Sequence, residues 1–124
     1  MAKLLVVDDS SLSRRILRRI LEEAGHKVTE ANDGMMALEQ YAVDKPDMVL
    51  LDVTMTEMNG LEVLRQLRAL DANARVVMAT ADVQSSTRTL AESGGAIGFV
   101  LKPFNSETIL QAVNAALAGQ GADL

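Results

Sequence analysis

A doubly wound α/β sheet is the fold this sequence predicts, and three observations predict it. Short continuous apolar runs alternate five times with segments of helical period, the pattern of parallel strands buried on both faces between crossover helices. Capping and turn residues, Asp33-Gly34 and Asn59-Gly60 among them, fall at the junctions. Polar residues cluster where the apolar runs stop, at what would be the carboxyl edge of one sheet. Ligands bind at that edge in open α/β sheets.

The first strand is expected at 3–7, where Leu4-Leu5-Val6-Val7 run without interruption. The first helix follows over 11–24, capped by Ser10 or Ser11 and ended by Gly25 in a left-handed conformation. At 100° per residue, Leu12, Ile16, Leu17, Ile20, Leu21 and Ala24 share one side of it. Arg14, Arg15, Arg18, Arg19, Glu22 and Glu23 lie opposite. Strand two is expected at 27–31, and Asp33-Gly34 opens a helix over 34–43. Strand three spans 48–52, and Asn59-Gly60 turns the chain into a helix over 60–70. Strand four at 75–80, a helix over 83–93 and strand five at 97–101 follow. The last helix, 106–118, is capped by Asn105 or Ser106 and carries Ile109, Leu110, Val113 and Leu117 on one face. Successive βα units with right-handed crossovers make one sheet. Residues 1–118 read as one domain, and 119–124 as a frayed tail or linker stub.

Composition narrows the function. The 124 residues suffice for one real core. Aromatics are only 2% against 48% hydrophobic residues overall, so that core is aliphatic, with methionines filling gaps. Met55 and Met58, in the loop after Asp52, could instead meet a partner. No cysteine is present, which excludes disulfides and thiolate metal sites and suits a reducing compartment. The apolar runs are too short to span a membrane, so a cytoplasmic location is expected. The net charge of −5 disfavours nucleic acid, which needs a basic surface. The arginines at 14, 15, 18 and 19 are either a docking face for a partner or a solvated face with Arg18–Glu22 and Arg19–Glu23 pairs.

The edge residues are Asp8-Asp9 after strand one, Asp52 at the end of strand three, Thr80 at the end of strand four, and Lys102-Pro103 after strand five. Each alone has an ordinary reading as turn chemistry, a strand residue or a stop signal. Together they would converge three carboxylates, a hydroxyl and an ammonium on one pocket, a site suited to a divalent cation and a phosphoryl group. Crowded carboxylates repel one another and raise at least one pKa unless a cation is present. Mg²⁺ is the hard cation that takes one or two carboxylates plus phosphate oxygens.

The stretches Leu5-Val6-Val7-Asp8-Asp9-Ser10, Leu51-Asp52-Val53-Thr54-Met55, Asn59-Gly60, Thr80-Ala81, Gly95-Ala96 and Phe99-Val100-Leu101-Lys102-Pro103-Phe104 resemble those of response-regulator receiver domains of two-component signalling. The resemblance covers roughly residues 3–117 and leans toward single-domain chemotaxis-type regulators. It implies a flavodoxin-like sheet of order 2-1-3-4-5, the order for which chemotaxis regulators of this family serve as the reference example. It implies that Asp52 is the phosphoacceptor. Asp9, Asp52 and the Thr54 carbonyl would hold Mg²⁺ directly, and Asp8 largely through water. Lys102 and Thr80 would meet the phosphoryl oxygens, and Thr80 and Phe99 would form the switch. Phe99 stands where a tyrosine is often found, so its part is confined to packing. Thr54 and Asp82 occupy positions that tune hydrolysis. Thr56 replaces a common proline.

The resemblance also implies partners. A sensor histidine kinase or a histidine phosphotransfer protein would be the donor, since His26, the single histidine, reads as a surface turn residue. A downstream protein, or a phosphorylation-dependent homodimer, would engage the face of helix four, strand five and helix five, about 82–118. Such a protein is a signalling phosphoacceptor that catalyses only its own phosphorylation and dephosphorylation. Three rival readings compete with it. A haloacid-dehalogenase-type phosphohydrolase would need an acid where Thr54 stands, and a flavin carrier would need a phosphate cradle where Asp8-Asp9 would repel it. A receiver-like binding module that is never phosphorylated has no need of the full set Asp8, Asp9, Asp52, Thr80 and Lys102.

Overall fold

A computed structural model describes residues 2–55, 58–81 and 85–119. Its strands are β1 (Lys3–Val7), β2 (Lys27–Ala31), β3 (Met48–Asp52), β4 (Val76–Thr80) and β5 (Gly98–Leu101). Its helices are α1 (Ser11–Glu23), α2 (Gly34–Asp44), α3 (Gly60–Leu70), α4 (Ser85–Ser93) and α5 (Ser106–Leu117). All ladders are parallel and the strand order is β2-β1-β3-β4-β5. The doubly wound, flavodoxin-like architecture expected from the sequence is the one observed. Most element ends coincide with expectation, and the starts of β4 and β5 and the ends of α1, α2 and α5 differ by one residue. The expected start of the fourth helix lies outside the described residues.

Alternation along each strand divides the core in two, because successive side chains leave opposite faces of a sheet. Leu5, Val7, Val49, Leu51, Val76 and Met78 pack on one face against Ala37 and Tyr41 of α2 and Val63, Leu64 and Leu67 of α3. Leu4, Val6, Met48, Leu50, Val77 and Ala79 pack on the other against Leu17 and Leu21 of α1 and Ile109, Val113 and Ala116 of α5. The inner strands β1, β3 and β4 are therefore apolar along nearly their whole length, as double-sided burial demands, while the edge strand β2 carries Lys27, Thr29 and Glu30.

Caps define the helix starts. The Ser10 hydroxyl accepts from the Ser13 N–H at 3.2 Å, and Asp33 Oδ1 from the Met36 N–H at 2.8 Å. Asn59 Oδ1 accepts from the Leu61 N–H at 2.7 Å, and Asn105 Oδ1 from the Glu107 N–H at 2.8 Å. Each satisfies a donor that has no partner within its helix. Gly25, just past α1, has φ 95, the left-handed conformation expected of it.

The apolar face of α1 is narrower than its periodicity implies. Leu17 and Leu21 are buried and Ile20 packs beside them, but Leu12 is 63% and Ile16 40% exposed. Both lie in the first turns of α1, just after β1 ends, and there the apolar side chains stay exposed. The opposite face is also not uniformly solvated. Arg14 and Arg18 both reach Glu30 on β2, at 2.9 and 2.6 Å. The pairs Arg18–Glu22 and Arg19–Glu23 form as expected, at 3.0 and 3.3 Å.

Candidate functional site

Four strand ends build the site. Parallel pairing sets the C-termini of β1, β3 and β4 side by side, with Val7 opposite Leu51 and Asp52 opposite Ala79. Asp8 follows β1 directly, Asp52 ends β3, Thr80 ends β4, and Lys102 follows β5. The expected polar residues therefore share one edge.

Asp8, Asp52 and Thr80 are buried, at 1%, 4% and 2% exposure, while Asp9 lies exposed at the rim. Carboxylate oxygens of Asp8, Asp9 and Asp52 all fall within 4.8 Å of one another. Lys102 Nζ lies 3.1 Å from Asp8 Oδ2 and 3.4 Å from Asp52 Oδ2. Its ammonium also stands 5.6 Å from the centre of the Phe104 ring, within cation–π range. The second oxygen of Asp8 accepts from the Ser10 N–H at 2.9 Å, and Asp52 Oδ1 from the Thr54 N–H at 3.4 Å.

The position of Asp52 depends on Gly60. The first residue of α3 abuts the end of β3, where the Gly60 N–H donates to the Val53 carbonyl at 2.8 Å. A Cβ on Gly60 would stand 2.1 Å from the Asp52 carbonyl oxygen, an impossible contact with backbone. Only glycine lets α3 approach this closely.

Electrostatics follow from this crowding. Burial, and then the charge of Asp8, pushes the Asp52 carboxyl up to about 6, against the pull of Lys102. For Lys102, burial is the largest influence and works against the ammonium. The hydrogen bond that Lys102 donates to Asp8 and the charges of Asp52 and Asp8 together outweigh it, so its pKa lies above the ordinary lysine value. A buried carboxylate held up in this way, even with Lys102 beside it, is one that a further positive charge would stabilise in its ionised form. The donor set is all oxygen and hard, which fits Mg²⁺ and excludes a thiolate or imidazole metal.

The remaining expected residues are placed as follows. Thr54 is exposed beside Asp52. Phe99 is half-buried against the α2–α3 core, with the Arg88 guanidinium 5.8 Å from its ring centre. Met55 and Met58 pack against the same core instead of lying free. Asp82 and Thr56 lie outside the described residues. His26 precedes β2 at the opposite edge, where its Nδ1 accepts from the Ala2 N–H at 3.2 Å. That edge also carries a cleft of about 510 Å³ between Lys3, Arg18, Lys27 and Asp44. His26 is thus remote from the acidic cluster, in line with its reading as a turn residue.

Sequence reasoning missed the contact of Arg14 with the acidic turn. Arg14 Nη1 donates to the Asp8 carbonyl at 2.6 Å while its Nε holds Glu30. The available signal was an isolated acid in strand two, on the side that faces the first helix.

The family model for the response regulator receiver domain matches residues 4–114. The chain is 38% identical over 116 residues to the chemotaxis protein CheY of Bacillus subtilis, which covers 93% of this chain and 97% of that protein. The response regulator MprA of Mycobacterium leprae is 41% identical over 115 residues, 93% of this chain but 50% of that longer protein. The solved structure of the chemotaxis protein CheY4 of Vibrio cholerae is similar with a TM-score of 0.90 at 32% identity, covering 94% of this chain and 98% of that one. No helix among the described residues is long and apolar enough to cross a membrane.

Proposed function

The chain belongs to the response-regulator receiver family of two-component signalling, and from that premise we propose that Asp52 is its phosphoacceptor. One observation carries this reading: the carboxylates of Asp8, Asp9 and Asp52 gather within 4.8 Å under the Lys102 ammonium. The donor is a phosphohistidine on a sensor histidine kinase or a histidine phosphotransfer protein. An Asp52 carboxylate oxygen attacks phosphorus, the new P–O bond forms as the P–N bond breaks, and the imidazole leaves with the bond's electron pair.

Asp9, Asp52 and the Thr54 carbonyl would hold Mg²⁺, with Asp8 acting through water. Bound there, the ion supplies positive charge against the carboxylates and the phosphoryl oxygens. Lys102 neutralises one phosphoryl oxygen, and the Thr80 hydroxyl donates to another. Because phosphoryl transfer is mostly positioning and charge stabilisation, these groups suffice. Thr54 and Asp82 border the path of a hydrolytic water and set the lifetime of the acyl phosphate.

The signal leaves through a two-state element. Thr80 moves toward the phosphoryl group and Phe99 turns into the space it leaves, which changes the face of α4, β5 and α5. A downstream protein, or a second copy of the chain, reads that face. The net charge of −5 argues against nucleic acid as the direct partner of this domain.

The test uses Mg²⁺ with acetyl phosphate, and separately beryllofluoride. We expect one phosphoryl group per chain by intact mass, and shifts in the amide resonances around Asp52, Thr80 and Lys102. Asp52→Asn should abolish both and remain folded. Labelling that persists in Asp52→Asn, or shifts that do not depend on Mg²⁺, would overturn the assignment.

A further inference from the structure

Asp8 is tied down at every polar atom. Its N–H donates to the Ala31 carbonyl at 3.2 Å, one carboxylate oxygen accepts from the Ser10 N–H, and the other meets Lys102. Its carbonyl accepts from Arg14 Nη1 at 2.6 Å. That carbonyl belongs to the peptide joining Asp8 to Asp9, so its orientation sets the direction in which the Asp9 side chain leaves the backbone. Arg14 is itself held. Its Nε bonds Glu30 Oε1 at 2.9 Å, and the other Glu30 oxygen takes Arg18 Nη1 at 2.6 Å. Arg18 is braced in turn by Glu22 at 3.0 Å. The Arg14 side chain is only 16% exposed, so it is packed in place between α1 and the edge strand. Glu30 is kept below the usual carboxylate range, chiefly by the hydrogen bond from Arg18.

We propose that Arg14, clamped by Glu30, is a positioning residue for the acidic cluster: it fixes the Asp8–Asp9 peptide so that Asp9 faces Asp52, and thereby sets the affinity for a divalent cation. The proposal rests on the phosphoacceptor reading of the site. It also makes a prediction whose sign opposes simple electrostatics. Removing a positive charge beside an acidic cluster should tighten cation binding by Coulomb attraction alone. Removing a positioning residue should weaken it, and groups that orient metal ligands from behind typically contribute about 10- to 100-fold in affinity.

The experiment titrates Mg²⁺ alone against ¹⁵N-labelled protein and follows the amide resonances of residues 8–10 and 52–54. The unaltered chain is measured first. If it does not bind Mg²⁺, the site reading itself fails. If it does, Arg14→Met should weaken binding about tenfold, and Glu30→Gln should weaken it in the same direction. Arg18→Met keeps the Asp8 contact and should stay within about threefold of the unaltered chain, well short of that loss. A loss of less than about threefold in Arg14→Met, no change, or tighter binding would overturn the proposal while leaving the phosphoacceptor reading intact. Should Arg14→Met not fold, Arg14→Lys is read against the same threshold. It keeps the charge but cannot reach Glu30 and the Asp8 carbonyl together.

Discussion

Lys102 Nζ lies 3.1 Å from Asp8 Oδ2, although 94 residues of chain separate them. The contact closes the acidic edge, because β5, which delivers Lys102, and β1, which delivers Asp8, are separated in the sheet by β3 and β4. This ammonium supplies positive charge to both Asp8 and Asp52.

At the proposed site Lys102 would therefore compete with a cation for the same carboxylates. Lys102→Met should bind Mg²⁺ more tightly than the unaltered chain, since a charge standing 3.1 Å from Asp8 and 3.4 Å from Asp52 is gone. Phosphoryl acceptance by the same variant should fall at least about tenfold, because an oxygen of the transferring group loses its countercharge. Titration calorimetry and intact-mass time courses read the two effects separately. Weaker Mg²⁺ binding in this variant would contradict the competition.

Gly60→Ala should be among the most damaging small substitutions in the chain. The added Cβ would meet the Asp52 carbonyl oxygen at 2.1 Å, so either α3 or the end of β3 must move. We expect a loss of at least about 2 kcal/mol in urea unfolding, together with slower phosphoryl acceptance because Asp52 is displaced. Neutral stability with unchanged labelling would show that the two elements are not in contact as described.

The exposed start of α1 makes a contrast with its middle. Leu12→Gln and Ile16→Gln should each change stability by no more than about 0.5 kcal/mol, since these side chains are 63% and 40% exposed. Leu17→Ala should cost about 2–5 kcal/mol, because Leu17 is buried and leaves a cavity. Equal losses at all three positions in denaturant titrations would restore the broad apolar face that the periodicity implies.

Tyr41 provides a pH readout away from the acidic edge. Burial, and then the 2.8 Å hydrogen bond to Asp71, pushes its phenol up to about 12. A folded-state value above that of the unfolded chain, about 10, favours the neutral form in the fold. The associated stability is fully present below pH 10 or so and is lost as pH rises through about 12. The chain has one tyrosine and no tryptophan, so ultraviolet absorbance of tyrosinate reports this group alone. Asp71→Asn should lower the midpoint without returning it to the ordinary value, because burial is the larger cause. A midpoint near 10 in the unaltered chain would be inconsistent with the buried, bonded phenol.

Much of this molecule is written in local pattern. Double-sided burial leaves an apolar signature at each inner strand, and Ser10, Asp33, Asn59 and Asn105 cap helices because their short oxygens suit that role wherever they occur. The residues that follow β1 and β5 and end β3 and β4 were legible as a candidate site for the same reason: parallel topology sends the carboxyl ends of all strands to one edge. What local pattern could not decide was which side chains the tertiary structure covers and which partners it offers them. Leu12 and Ile16 carry the period of a buried face but stay exposed in the first turns of α1. Arg14 carries the look of a solvated residue, yet Glu30 and the Asp8 carbonyl are brought to it by β2 and the turn after β1. Gly60 reads as a helix start, and only the approach of α3 to the backbone of Asp52 shows that a methyl group there would not fit. Periodicity is a property of one segment, whereas burial and hydrogen bonding depend on the distance to another, and that distance exists only once the sheet has formed.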